Sequence, residues 1–301
     1  MRKRCGASFR GRRPRGCVFA RVRLALAIVS LTVLLWGCGT RAGSVRAAPP
    51  HTAGRVVALM PSFAEDLYAI GAGSQLVAVS DFTDARQATG LPRVADATSV
   101  DVEAIVALRP SVVIGIPAQS RFVQPLERAR VPVSLLPDDT YDEIFTNLRV
   151  AGALTGHERG AAATIARLRR ETAALHARTD RFARRPSVFV VLGSGPIWTA
   201  GSGSYITQLI VLAGGKNAAA NLGAPYGEYS AEALLRDQPD VLVADPATHL
   251  ELAFDREPWR SLRAVRLHHV YSVNPDIIER PGPNYNQGIR WLLERLTPLA
   301  Q

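Results

Sequence analysis

Two stretches, VDVEAIVALRPSVVIG at 100–115 and YSAEALLRDQPDVLVA at 229–244, align without a gap at a constant offset of 129 residues. Glu103 meets Glu232, Ala104 meets Ala233, Pro110 meets Pro239, Val112 meets Val241, and Ile114 meets Val243. Each copy reads as a short amphipathic helix, a proline that cannot continue it, and a β-branched run of the kind that forms a buried strand. Solenoid repeats recur every ~20–50 residues, so two copies this far apart describe two duplicated lobes.

Outward from these copies the same alternation continues. Strands are expected at 56–59, 76–79, 112–116 and 131–135, with helices at 63–70, 102–108 and 120–129 between them. The second half repeats the plan: strands at 187–192, 241–244 and 269–273, helices at 205–213, 231–236 and 286–296. Strand–helix alternation argues for parallel sheets covered by helices, so the fold class is α/β with two Rossmann-like lobes. Between the halves, 141–183 is rich in Ala, Leu, Arg and Glu, and Ile165, Leu168, Thr172 and Leu175 follow helical spacing. A single helix of roughly 25 residues would extend about 37 Å and connect the lobes as a rigid spacer.

Composition bounds the function. The chain has 301 residues, 47% hydrophobic and 21% charged, which suits two folded units rather than a disordered or multi-span chain. Its formal charge of +10 is local: nine of the 36 basic residues lie in 1–37, which hold no acid. The remaining 27 face all 26 acids, a balance that gives no broad basic face for nucleic acid.

The N-terminus reads as an address. After the basic stretch, LALAIVSLTVLLW at 24–36 is uncharged but shorter than the ~20 residues a membrane span needs. It ends Leu35-Trp36-Gly37-Cys38, which resembles the lipobox of bacterial lipoproteins, with cleavage before Cys38 and a diacylglycerol on its thiol. An uncleaved anchor is the other reading. Cys5 and Cys17 lie in the removed part, so no disulfide forms in the mature chain. The expected organisation is a signal at 1–37, a tether at 38–54, a first lobe at 55–155, a connecting helix at 156–184 and a second lobe at 185–301.

A lipoprotein signal, two α/β lobes, a connecting helix and a first-turn Glu in each lobe together resemble one family: the helical-backbone substrate-binding proteins of ABC importers. The resemblance covers about 55–299 and is carried by RVVALMPSFAEDLYAIGAGSQLVAVS (55–80), the duplicated pair, TAGSGSYITQLIVLAGGKNAAA (199–220) and NPDIIERPGP (274–283). It implies an extracytoplasmic, lipid-anchored, monomeric protein that delivers a ferric siderophore or corrinoid to a permease and its ATPase, with a ligand cleft between the lobes. It also implies that Glu103 and Glu232 dock on permease arginines; as first-turn acids they would in any case complement the helix dipoles.

Ligands of open α/β sheets sit beyond the C-terminal strand edges. That rule places Met60, Ser62, Phe63 and Phe82 in the cleft from the first lobe, and Trp198, Tyr226, Tyr229, Asp276 and Arg280 from the second. The wall is expected to be aromatic with few charges. Ser62 and Glu65 also have the S-x-x-E spacing of a capping box. Haem-binding members of the family usually carry a Tyr just before the first docking Glu, whereas Val94-Ala95-Asp96-Ala97-Thr98 holds neither Tyr nor His. Cobalamin binders tend to have Trp there, so Ala97 departs from them, as Asn284 departs from a frequent Pro-Gly-Pro-Arg.

No cofactor or resident metal is expected, since the six histidines show no ligand spacing with nearby acids. The glycine-rich 193–196 and 200–204 lack a phosphate-loop order and read as turns. Ser, His and Asp occur without a G-x-S-x-G elbow, which argues against a nucleophilic enzyme; the alternative to a binding protein for chelates is a secreted α/β hydrolase or a haem- or metal-binding protein of similar layout.

Overall fold

A computed structural model describes residues 54–301 apart from 87 and 97. The expected signal, Cys38 and most of the tether lie outside the described residues, as does Ala97. Among the described residues no helix is long and apolar enough to cross a membrane.

The first lobe begins with β1 (Val56–Ala58), α1 (Pro61–Ala69), β2 (Leu76–Ser80), β3 (Arg93–Ala95) and α2 (Val102–Ala107). It continues through β4 (Val112–Gly115), α3 (Ser120–Arg128) and β5 (Val133–Leu135). All five strands are parallel, in the order β3-β2-β1-β4-β5. Parallel strands need helical crossovers, and the central ones are buried on both faces, which is why β1 and β4 read as unbroken β-branched runs.

Two helices follow, α4 (Tyr141–Thr155) and α5 (Glu158–His176). The expected 25-residue connector is therefore shorter. Gly156 ends α4 in the left-handed conformation (φ 73°), and α5 runs 19 residues, about 28 Å, before a 3-10 turn over Ala177–Arg181. Thr179 Oγ1 donates to the His176 carbonyl at 2.7 Å, holding that turn.

The second lobe contains β6 (Ser187–Val191), β7 (Gly193–Ser194), β8 (Ile197–Ala200), α6 (Tyr205–Leu212), β9 (Lys216–Asn217), β10 (Tyr226–Glu228), α7 (Ala231–Asp237) and β11 (Val241–Ala244). The chain closes with α8 (Arg263–Arg266), β12 (Val270–Ser272), α9 (Pro275–Ile278) and α10 (Asn286–Leu296). Its parallel sheet has the order β12-β11-β6-β9, and β10-β8-β7 form a small antiparallel sheet beside it. That second sheet was not expected, because the glycines of 193–196 hid the hairpin that their turn makes.

The duplicated segments occupy equivalent places. In one, α2 feeds β4, which pairs with β1 and β5; in the other, α7 feeds β11, which pairs with β6 and β12. Asp101 and Ser230 cap the two helices by accepting from the Ala104 and Ala233 amides. Glu103 and Glu232 are both exposed one residue after N1.

One continuous apolar core joins the lobes through α5. It includes Phe63, Leu67 and Leu148 on one side and Tyr205, Leu209 and Leu293 on the other. On the first lobe, Thr164 Oγ1 donates to the Ala69 carbonyl at 2.8 Å. On the second, Thr172 Oγ1 lies 2.6 Å from the Tyr285 hydroxyl and 2.9 Å from Asn286 Oδ1. The connecting helix is thus fastened to both lobes along its length, and side chains that fill a core shared in this way resist sliding.

Candidate functional site

The lobes meet where α1, beyond the C-terminal edge of β1, touches the segment after α9, the place at which the cleft is expected. After β1, Met60 precedes α1 in extended conformation and Pro61 occupies its first turn. The S-x-x-E capping box does not form. Met60, not Ser62, is the N-cap, and it makes no side-chain cap bond. The helix begins two residues earlier than that box requires, which moves Ser62 to the inner face, where its Oγ is buried without a hydrogen-bond partner. Glu65 is freed for another role.

That role is an ion pair across the lobes. Arg280, just after α9, donates from Nη1 to Glu65 Oε1 at 2.8 Å, with side-chain exposures of only 14% and 7%. Asn284 Nδ2 donates to Glu65 Oε2 at 2.9 Å. Arg280 Nη2 also reaches Asp276 Oδ1 at 2.5 Å and the Phe82 carbonyl at 3.4 Å. Gly282 sits directly on α1, where a Cβ would lie 3.4 Å from Glu65 Oε2 and 3.7 Å from Ser62 Cβ. A second bridge between the lobes is the Tyr205 amide donating to the Asp139 carbonyl at 2.8 Å, and the buried Tyr205 hydroxyl donates to the Arg280 carbonyl at 3.2 Å.

The structure therefore gathers Ser62, the Phe82 carbonyl, Asp276 and Arg280 around Glu65, with Met60 at the start of the same helix. The Phe82 ring itself is exposed. Tyr226 pairs with Ala200, and Glu228 with Trp198, across β10 and β8. Residues directly opposite in a sheet share a face, as do residues two apart, so Trp198 and Tyr226 stand on one face as diagonal neighbours. Thr199, between them in sequence, turns the other way and donates to the Val190 carbonyl. Tyr226 faces the first lobe: burial, then the charges of Asp139, Asp138 and Glu279, raise its hydroxyl pKa.

Two of the expected wall residues belong elsewhere. Phe63 is 2% exposed and packs in the shared core, because the N-terminal shift of α1 turns it inward. Tyr229 packs against Phe189 in the second lobe, and its hydroxyl donates to Asp237 Oδ2 at 2.5 Å and Asn221 Oδ1 at 2.9 Å. Strand alternation after Tyr226 and the onset of α7 direct it to the core.

The cleft also differs from the weakly charged wall that was expected. Asp66 is 2% exposed, with Oδ1 lacking a hydrogen-bond partner. Burial, then repulsion from Glu65 and Asp138, holds its pKa well above the usual carboxylate range. Burial and the neighbouring Asp139 and Glu143 push Asp138 up to about 7; burial and Asp245 push Glu279 to about 7. Glu65 is also raised, since desolvation outweighs its bonds to Arg280 and Asn284. Paired acids inside an otherwise apolar helix, FAEDLYAI at 63–70, were the sequence signal for this, and acids straight after a strand, as at 138–139, were a second. Among the described residues no three His, Cys, Asp or Glu side chains converge as a metal site.

The family model for periplasmic binding protein matches residues 56–277. The chain belongs to the periplasmic binding protein family. A vitamin B12-binding protein of Vibrio cholerae is 30% identical over 244 residues, covering 78% of this chain and 86% of its own. An ABC transporter substrate-binding lipoprotein of Bacillus subtilis is 26% identical over 253 residues, 81% of this chain and 80% of its own. The solved structure of the periplasmic vitamin B12 binding protein of Vibrio cholerae superposes with TM-score 0.69 at 27% identity, over 82% of this chain and 98% of that one. This periplasmic binding protein is a substrate-binding component of ABC transport, a binding protein and not an enzyme.

Proposed function

We propose that the protein captures a metal chelate, either a ferric siderophore or a corrinoid, and hands it to an ABC permease from a lipid anchor at Cys38. The observation that carries the ligand class is the cleft itself: Phe82 beside Arg280, with Trp198 and Tyr226 on one face of β8 and β10. Aromatic faces grip large flat ligands, and the polar groups gathered at half-buried Arg280 orient a polar edge. The relatives named for vitamin B12 support the corrinoid half of this reading. Haem is disfavoured, because 94–98 offer no Tyr or His to iron.

The test is tryptophan fluorescence of the full chain titrated with cyanocobalamin, haemin and several ferric siderophores. One chelate should quench at micromolar or lower concentration, with about tenfold weaker binding in Trp198→Ala. Binding of none, or of haemin alone, overturns the assignment.

Delivery rests on the duplicated acids. Glu103 and Glu232 lie on equivalent helices of the two lobes, both exposed, and a permease contacting both would sense the spacing of the lobes. Charge reversal at either should reduce uptake at least tenfold while leaving chelate affinity unchanged. Stability should move by less than about 0.5 kcal/mol, because exposed first-turn acids contribute little to folding. A loss of chelate affinity in either variant would assign the residue to the cleft instead. For the anchor, fatty-acid labelling of cells should tag the protein and vanish in Cys38→Ser; persistent label in that variant would place the lipid elsewhere.

A further inference from the structure

We propose that Glu65 sets the charge selectivity of the cleft: by pairing with Arg280 across the lobes it consumes the site's cation, so that chelates with a neutral or cationic, N–H-rich edge are favoured over anionic ones. This inference rests on the metal-chelate reading above. A lone arginine in an aromatic cleft would recruit carboxylates or catecholates. Here its guanidinium already meets the carboxylates of Glu65 and Asp276 and the Phe82 carbonyl. One cation between two carboxylates leaves the group net negative.

Nothing behind the pair offsets that sign: Asp66, next to Glu65 on α1, is buried and its Oδ1 has no donor. The other arginines near this edge are committed. Arg93 donates to the carbonyls of Ser80, Asp81 and Thr83, and Arg86 pairs with Asp84. An anionic edge must therefore displace Glu65 from Arg280 and leave a buried carboxylate facing another negative charge, the arrangement that buried ion pairs least tolerate. An amide or ammonium edge instead meets the half-exposed Asp276 carboxylate and can donate to it without displacing Glu65 from Arg280.

The test changes the charge at one edge of a ligand and leaves its metal-chelating part unaltered. Full-length protein is titrated with two matched pairs: cyanocobalamin against its monocarboxylic acid, in which one side-chain amide is hydrolysed, and ferrioxamine B against its N-succinyl derivative. Within whichever pair binds, the amide or ammonium member should bind at least about tenfold tighter, and Glu65→Gln, its fold checked by thermal melting, should narrow the ratio to about threefold or less. A wild-type preference for the anionic member, or equal affinities, overturns the inference without any variant. A folded Glu65→Gln that keeps the full ratio removes Glu65 as its source and overturns it too. If neither pair binds but an anionic ferric siderophore does, the inference is overturned; if no corrinoid or ferric siderophore binds at all, the metal-chelate reading itself falls, an outcome distinct from binding without charge preference.

Discussion

Gly160→Ala should destabilise the protein by about 2 kcal/mol or more, although alanine in a helix interior ordinarily gains about 1 kcal/mol over glycine. The sign is reversed by one contact. Gly160 lies in the first turns of α5, and a Cβ there would fall 2.0 Å from the Ile70 carbonyl oxygen and 3.0 Å from its carbon. Backbone cannot rotate away as a side chain can, so α5 would have to lift off the end of α1. Lifting would also stretch the Thr164-to-Ala69 bond one turn later. It would further disturb the close approach of α4, where Gly152 faces Ala161. For a chain of this size the loss corresponds to a fall in Tm of roughly 5 °C or more, read by calorimetry. An increase in Tm would show that α5 does not pack this closely on the first lobe. The consequence for function is direct, because α5 carries the relation between the lobes.

Arg280→Met is expected to cost about 3 kcal/mol at pH 8 and distinctly less at pH 5. Removing one member of a buried pair leaves the other charge uncompensated, the costly case for buried ion pairs. Glu65 is 7% exposed and would keep only Asn284 as a partner. Its pKa is already raised by burial in the presence of Arg280, and losing the arginine raises it further. A group whose folded pKa lies above its unfolded value favours the folded state when protonated, so stability is present at low pH and lost as pH rises through the folded pKa. The orphaned Glu65 therefore takes up a proton at pH 5 with little penalty and stays a buried charge, or binds a proton at increasing cost, at pH 8. Urea denaturation at the two pH values reads the difference. Equal costs at both would mean that Glu65 reaches water in the variant, and that the pair does not seal the cleft floor.

The sequence determined whatever depends on local periodicity and on repetition. The α/β class, the two lobes, the central strands β1, β4, β6 and β11 and the exposed pair Glu103 and Glu232 all follow from 2.0 and 3.6 periodicities and from one internal repeat. Such patterns survive because a buried strand or an amphipathic helix must satisfy its own segment first. Short edge strands such as β3 and the hairpin β7–β8 escaped, since three residues or a glycine-rich turn carry too little pattern.

Only the tertiary structure decided what the cleft is made of. Whether Glu65 caps its own helix or pairs with Arg280 depends on where α1 begins, and a start two residues earlier turns Ser62 and Phe63 inward and aims Glu65 at a loop 215 positions away. Asp66, Asp138 and Glu279 come from three separate segments, and only folding brings Asp66 near Asp138 and Glu279 near Asp245 and excludes the water whose loss raises all three pKa values. Desolvation and charge coupling are properties of proximity and burial in three dimensions, and one-dimensional order does not encode either until the lobes are joined.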